Sequence, residues 1–542
     1  MIKFSELLKA VALITVFSLL TRALGFVFRI YLSWELGAEM LGIYQVAMSV
    51  VGVLLMLVSS GLPLALSKMT AIYETKRDQR SIDRATTATL VVSLALSVLL
   101  CLLIFAFDTP LENIFADSRT VLIILTLLPS VIFSAVYSSF RGTLWGKKNY
   151  FIVGLSEFIE QVMRTVFFFL LAYFVGDALS SGVIAGVSLS IACVCSALVV
   201  VIYYFAKGNR LGNPHSQYRR LLKSATPVTG VRVATSALQP IIAIVIPMQL
   251  VLAGMSSENA LAEFGIAVGM TMPLLFVPSM LVGSVAMVLL PELSSQIEQK
   301  NKETALSQIN MAFTFSIFIS MLIIPLYMGM WRDIGLFVYN NERAGLLLAY
   351  SAWLMIPLAL SNISSTVLNA LNLEGKSFIN YFIGAVVLIV AILALTQVIG
   401  IASLIVGTGA CMIISSALNI RLIRKRIGVK VGVLRQIVVM GALAVPSLFF
   451  TSFTFNIFDA FCPKFFALAL GSVCGAASFV LLCVIFKAIN LKTLLTEFAK
   501  PKKGNPEMST PHIQSRGKRS EVRATSEALT AAGANRKSEF MQ

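Results

Sequence analysis

Apolar stretches of about twenty residues, the length a helix needs to cross the hydrocarbon of a bilayer, recur along almost the whole chain. They span 8–32, 41–66, 86–107, 119–140, 151–175, 182–206, 225–253, 264–290, 306–328, 344–368, 377–399, 401–421, 434–457 and 464–487. A water-soluble core cannot absorb them, because 57% of the 542 residues are hydrophobic and only 13% are charged, about half the charge of ordinary soluble domains. The expected fold is an all-α polytopic membrane protein of about fourteen transmembrane helices. The first stretch is too long for the core of a signal peptide, contains Arg22 and Arg29, and is followed by no small-residue cleavage site.

Loop charge alternates in step with these stretches. One set of connections holds Lys68, Lys76, Arg77, Arg80 and Arg84, then Arg141, Lys147 and Lys148, then Lys207, Arg210, Arg219, Arg220 and Lys223. The same set continues with Lys300 and Lys302, Lys376, and a run from Arg421 to Arg435 that includes Arg424, Lys425, Arg426 and Lys430. The other set carries Glu35, Glu39, Asp108, Glu112, Asp117, Asp177, Glu258 and Glu263, with bases nearly confined to Arg119, Arg332, Arg343 and Lys464. By the positive-inside rule the basic loops and both termini are expected to be cytoplasmic and the number of crossings even; the expected location is a bacterial inner membrane. The net charge of +17 therefore calls for no nucleic acid: it collects beside anionic lipid headgroups. Residues 488–542 are polar and rich in Lys, Arg, Ser and Gly, and read as a disordered basic cytoplasmic tail.

Metal and redox chemistry have little to work with. Six of the seven cysteines lie in apolar stretches, where a thiol behaves as a small hydrophobe, and the two histidines, His215 and His512, fall in polar segments. No catalytic residue, metal site or cofactor is expected.

The chain repeats itself. Pro63 and Pro291, like Pro129 and Pro357, stand 228 positions apart, and Gly146-Lys147 recurs as Gly375-Lys376 at 229. A common offset points to a duplicated six-helix unit: one lobe at 1–207, a second at 208–430, and two appended helices at 431–487. An even unit keeps its orientation, so the lobes are expected to be related by a pseudo-twofold axis along the membrane normal and to rock about a central site.

Charges inside the apolar stretches mark that site. Arg22 and Arg29 lie two helical turns apart in the first, so they face the same way. Arg232 lies in the seventh, and the fifth carries Glu157, Glu160, Gln161 and Arg164 on one face. A central arginine costs about 2.5–3.5 kcal/mol to insert, so it should face protein or a wet cavity. Two readings stay open at this point. Arg164 either serves a substrate or pairs with Glu157 or Glu160, and Arg29 either faces the cavity or snorkels to the interface. Four arginines against two glutamates leave the interior net positive, which suits a phosphate or pyrophosphate.

At these residues the sequence resembles the SpoVB-type polysaccharide exporters. The likeness is carried by Thr21-Arg22-Ala23-Leu24-Gly25-Phe26 with Arg29-Ile30, Leu36-Gly37-Ala38-Glu39, Gly42-Ile43-Tyr44-Gln45, Gly61-Leu62-Pro63 and Ser67-Lys68. It continues through Pro129-Ser130, Ser138-Ser139-Phe140-Arg141-Gly142, Gly146, Glu160-Gln161-Val162-Met163-Arg164, Gly269-Met270-Thr271-Met272-Pro273-Leu274 and Leu290-Pro291-Glu292, covering roughly residues 5–487. The resemblance implies the MOP superfamily, with MurJ lipid II flippases and, further off, MATE drug exporters. It implies a V-shaped pair of lobes around a cationic cavity, moving undecaprenyl-pyrophosphate-linked sugars outward. Arg22 matches the MurJ-type arginine of the first helix. The second arginine of that motif falls at Phe28, one step before Arg29, and the eighth helix lacks the arginine that MurJ proteins place there. The acidic residues with which some relatives hold sodium in helices seven, eleven and twelve are absent here.

The expected function is a flippase for an anionic lipid-linked glycan, lipid II or a related cell-wall or spore-cortex precursor. Arg22, Arg29, Arg164 and Arg232 would hold pyrophosphate, and Glu157, Glu160 and Gln161 would be polar cavity groups available for coupling. Membrane lipids and the cell-wall synthesis machinery are the expected partners. The alternative is a MATE-like exporter of organic cations, which would need free membrane carboxylates. An integral-membrane glycan polymerase would need a larger extracytoplasmic loop than those near 108–118 and 329–343.

Overall fold

The computed structural model describes residues 4–107, 110, 112–176, 178–299, 302–427 and 432–488. The expected tail lies outside the described residues from 489 onward, as do Asp108, Asp177, Lys300 and Lys430.

The first two crossings form one helical run, Phe4–Ser59, which Gly61–Thr75 continues. The run breaks at Gly37, with φ 67° and ψ 179°, a backbone region that is almost closed to any residue with a Cβ. The chain turns back there. The Arg164 guanidinium lies 5.0 Å from the centre of the Phe28 ring and donates to the Tyr44 hydroxyl at 2.8 Å, whereas a straight helix would hold Phe28 and Tyr44 about 24 Å apart. The third to sixth crossings are Gln79–Ala106, Arg119–Gly146, Tyr150–Val175 and Ser181–Ala206. The seventh is Tyr218–Ser236 with Leu238–Leu252, and the eighth is Ser257–Phe264, a π-helical stretch Gly265–Thr271, and Met272–Glu298. The ninth is Lys302–Gly329, and the tenth joins Glu342–Ser351 to Met355–Ala370 through one 3-10 turn. Glu374–Ile399, Ala402–Ile427, Val433–Asp459 and Lys464–Ile485 complete the set. Among the described residues there are thirteen long apolar runs, and the first of them, Val16–Thr75, holds two crossings, giving the fourteen that the sequence suggests.

Two differences from the hydropathy reading have a physical cause. Several helices outrun their apolar cores: the second crossing reaches Thr75 and the fourth reaches Gly146. Hydropathy tracks hydrocarbon thickness, whereas the backbone ladder continues through the headgroup zone. The expected loop at 329–343 also contains a short helix, Trp331–Tyr339, too short to register as apolar periodicity. It ends at Asn340 in the left-handed region (φ 50°). A Cβ on its Gly335 would lie 2.5 Å from the Gly345 amide nitrogen, so this helix and the tenth crossing pack backbone to backbone.

Contacts sort the loops onto two ends, in agreement with their charge. At the acidic end Arg119 pairs with Glu39 and Asp117, Arg343 with Glu263, Arg332 with Glu342, and Lys464 with Asp333 and Asp459. At the basic end Lys147 donates to Gln79 and Asn209, and Tyr73 to Gln217. Among the described residues the largest apolar cluster lies toward the acidic end and joins early and late crossings, with Leu41, Tyr44, Ile123, Ile246, Phe264 and Leu347 all buried in it. Smaller clusters occupy the basic end, one around Leu66, Ile82 and Leu221 and another around Phe140, Val200 and Tyr204.

Candidate substrate site

The first six crossings meet the later ones most closely at the acidic end. A Cβ on Gly42 would lie 1.9 Å from the Leu261 carbonyl oxygen, and one on Gly265 would lie 2.1 Å from that of Ala38. Ala38 and Gly42 on one helix face Gly265 and Gly269 on the other, a small-xxx-small pair that lets backbones approach. The Trp34 indole N–H donates to the Val338 carbonyl at 2.8 Å, and the Ser257 hydroxyl to the Ala116 carbonyl at 2.5 Å. These contacts close the acidic end.

The fifth crossing runs parallel to the first, and its register is fixed by contacts. Gly154 lies against Phe17, Gly25 against Gln161, and Arg164 over Phe28. This arrangement brings Arg164 to the level of Arg29, just below the closed end. Arg164 is half-buried; its guanidinium stacks on Phe28 and is oriented by Tyr44. Its Nε is buried without a hydrogen-bond partner among the described residues. Arg29 is exposed and stands within electrostatic range of Arg164, Tyr44 and Tyr339. Tyr339, from the short helix beyond the ninth crossing, is buried, and its hydroxyl has no partner among the described residues. Two guanidinium groups and two phenols drawn from four separate helices therefore converge at one seam.

The carboxylates are engaged elsewhere. Glu157 forms an ion pair with Arg141 at 3.2 Å, and Arg141 stacks over the rings of Tyr137 and Trp145. Glu160 accepts from the Ser196 hydroxyl at 2.7 Å, with Arg164 and Arg141 in electrostatic range rather than in contact. The open question over Arg164 resolves against a pair with either glutamate: among the described residues it makes no ion pair. Gln161 faces the first crossing at Gly25, and its buried Nε2 has no partner among the described residues.

Arg22 and Arg232 stand apart from this convergence. Arg22 is exposed and lies about 10 Å along its helix from Arg29, toward the basic end. Arg232 is exposed three residues beyond Thr229, which packs against Gly61 of the second crossing. Among the described residues neither side chain has a hydrogen-bond or ion-pair partner. Sequence reasoning missed Tyr339 and the pairing of Arg141. Tyr44 stood in a quoted motif without a role, and the Ala38/Gly42 and Gly265/Gly269 spacings were a readable signal of the helix contact.

A family model described as Polysaccharide biosynthesis protein matches residues 7–297. The chain is 26% identical over 431 residues to Stage V sporulation protein B of Bacillus subtilis (strain 168), across 75% of this chain and 82% of that protein. Among solved structures it resembles the lipid II flippase MurJ in an inward closed conformation, with a TM-score of 0.69 and 14% identity over 88% of this chain and 98% of that one. An inward-facing multidrug resistance MATE family transporter of the MOP superfamily matches with a TM-score of 0.64 and 17% identity, over 75% of this chain and 94% of that one.

Proposed function

Since this chain belongs to the polysaccharide biosynthesis protein family and has the fold of MOP superfamily transporters, we propose that it is a flippase for an undecaprenyl-pyrophosphate-linked glycan. The cargo is lipid II or a related cell-wall or spore-cortex precursor, moved from inner to outer leaflet by alternating access. The basic end is then cytoplasmic, and no covalent bond is made or broken. The likeness to Stage V sporulation protein B and the fold shared with MurJ both support this reading.

The observation that carries it is Arg164, held over Phe28 by Tyr44 at the helical level of Arg29, with no carboxylate among the described residues in contact with either arginine. Two like charges at one level of a membrane-spanning bundle are costly unless an anion joins them. A pyrophosphate supplies that anion, and guanidinium forks bind it bidentately. Arg232 and Arg22 lie on the way from the basic end and would pass the headgroup toward this pair. The crossings at 1–207 and 208–430 would act as two lobes that separate at the acidic seam once the headgroup reaches it. The organic-cation alternative needs a free carboxylate, whereas Glu157 is bridged to Arg141 and Glu160 is hydrogen-bonded to Ser196.

The test is rescue of a bacterium depleted of its lipid II flippase, scoring lipid II in the outer leaflet. Wild type should restore exposure, and Arg29→Ala and Arg164→Ala, expressed equally, should each lose most of it. A correctly inserted wild type that fails would exclude lipid II as cargo. Full rescue by the double variant would remove the arginine pair from the mechanism.

A further inference from the structure

A second cationic site lies at the basic end, outside the seam. The eleventh and twelfth crossings flank an open cavity of about 440 Å³ whose polar lining is Lys376, Asn380, Arg421 and Lys425, with the three cations exposed. Lys376 and Asn380 are one turn apart on one helix, and Arg421 and Lys425 one turn apart on the other, so each pair presents a common face. Among the described residues no carboxylate lines the cavity, and its remaining wall is Ile379, Leu418 and Leu422.

The walls are held in place from behind. Asn380 Nδ2 donates to Asn419 Oδ1 at 2.9 Å, and the buried Asn419 donates in turn to Ser364 Oγ of the tenth crossing at 3.2 Å. The Asn380 amide keeps a second N–H for an acceptor. The repeat supplies a contrast. Lys147, the counterpart of Lys376, is satisfied within the protein by Asn209 at 2.6 Å and Gln79 at 2.9 Å. Among the described residues, Lys376, Arg421 and Lys425 have no hydrogen-bond or ion-pair partner.

We propose that this cavity binds the phosphate of an anionic phospholipid headgroup. The arginine fork and the two ammonium groups meet the phosphate oxygens, while Ile379, Leu418 and Leu422 run along the first methylenes of the acyl chains. Cations grouped on one side with apolar side chains beside them suit an amphiphile better than a bare ion, and juxtamembrane basic pockets between helices have this character. The site lies at the opposite end from the Arg29–Arg164 seam, so it is not a step in the path proposed for the glycan.

The full chain is reconstituted in nanodiscs of phosphatidylcholine with a minor fraction of phosphatidylglycerol, and the lipids retained on release are counted by native mass spectrometry. Wild type should retain phosphatidylglycerol selectively. Arg421→Gln/Lys425→Gln should weaken retention roughly twenty-five-fold, at about fivefold per cation, while Lys76→Gln/Arg80→Gln on the same face should leave it unchanged. Excess inorganic phosphate should not displace the lipid. Unchanged retention in the first variant, or equal loss in both, would show general surface charge and overturn the site. Displacement by phosphate, or phosphate binding in discs of phosphatidylcholine alone, would make it a soluble-anion site and overturn the lipid assignment.

Discussion

The Tyr44 hydroxyl has one evident task, which is to orient Arg164. Hydrogen bonds to charged groups contribute about 1.5–3 kcal/mol, and the stacked Phe28 ring fixes the guanidinium plane without choosing its rotation. Tyr44→Phe keeps the buried volume and removes only the hydroxyl. It should lower glycan translocation about tenfold or more at unchanged protein level, read as outer-leaflet lipid II in the rescued strain. Undiminished translocation would mean that Phe28 alone suffices to orient Arg164. What could be read from the sequence at this scale was the charge. Arg164 is conspicuous in an apolar stretch, but its partner comes from a helix more than a hundred positions earlier, and no periodicity carries that information. Glu157 shows the same limit from another side. Arg141 looked like a loop cation because hydropathy ends the fourth helix near residue 140, yet the helix runs on to Gly146 and its extra turn brings Arg141 to Glu157.

At the level of elements, the second and eighth crossings touch through backbone at Gly42 and Gly265. A methyl at Gly42 would meet the Leu261 carbonyl at 1.9 Å, a neighbour that cannot rotate away. Gly42→Ala should force the two helices apart, lengthening the distance between spin labels at Glu35 and Asn340 and abolishing rescue. A distance distribution identical to wild type would show that the close approach is not what holds this end shut. The approximate number and limits of the crossings were legible, since both follow from hydrocarbon thickness, and so was the sorting of the loops onto two ends, since it follows from their charge. The short helix Trp331–Tyr339 and the π-helical stretch Gly265–Thr271 were not. The first is too brief to show a period, and the second is a hydrogen-bonding choice that residue type does not specify.

The molecule as a whole is closed at one end by contacts that differ in chemistry from those elsewhere. Within the first six crossings, the loop before Arg119 is braced by Asp117, and its Ala116 carbonyl receives the Ser257 hydroxyl from the eighth crossing. Burial would raise the Asp117 carboxyl, but hydrogen bonds from the Arg119 side chain and amide, with the charge of Arg119, hold it below the usual aspartate value. A lowered carboxyl stabilises the brace above the ordinary range, near about pH 4, and loses that contribution as pH falls through the lowered value. The Glu35–Asn340 label distance should therefore be constant near neutrality and lengthen on acidification. Asp117→Asn should show the longer distance already at neutral pH, and a variant that stays closed would remove Asp117 from the latch. The turn at Gly37 has a consequence of another kind, for biogenesis. With a single non-helical residue between them, the first two crossings have no linker along which one could enter the bilayer and wait for the other. The two are therefore expected to enter the bilayer together as a hairpin with Glu35 and Glu39 at its tip, so that they are oriented as one unit rather than one after the other.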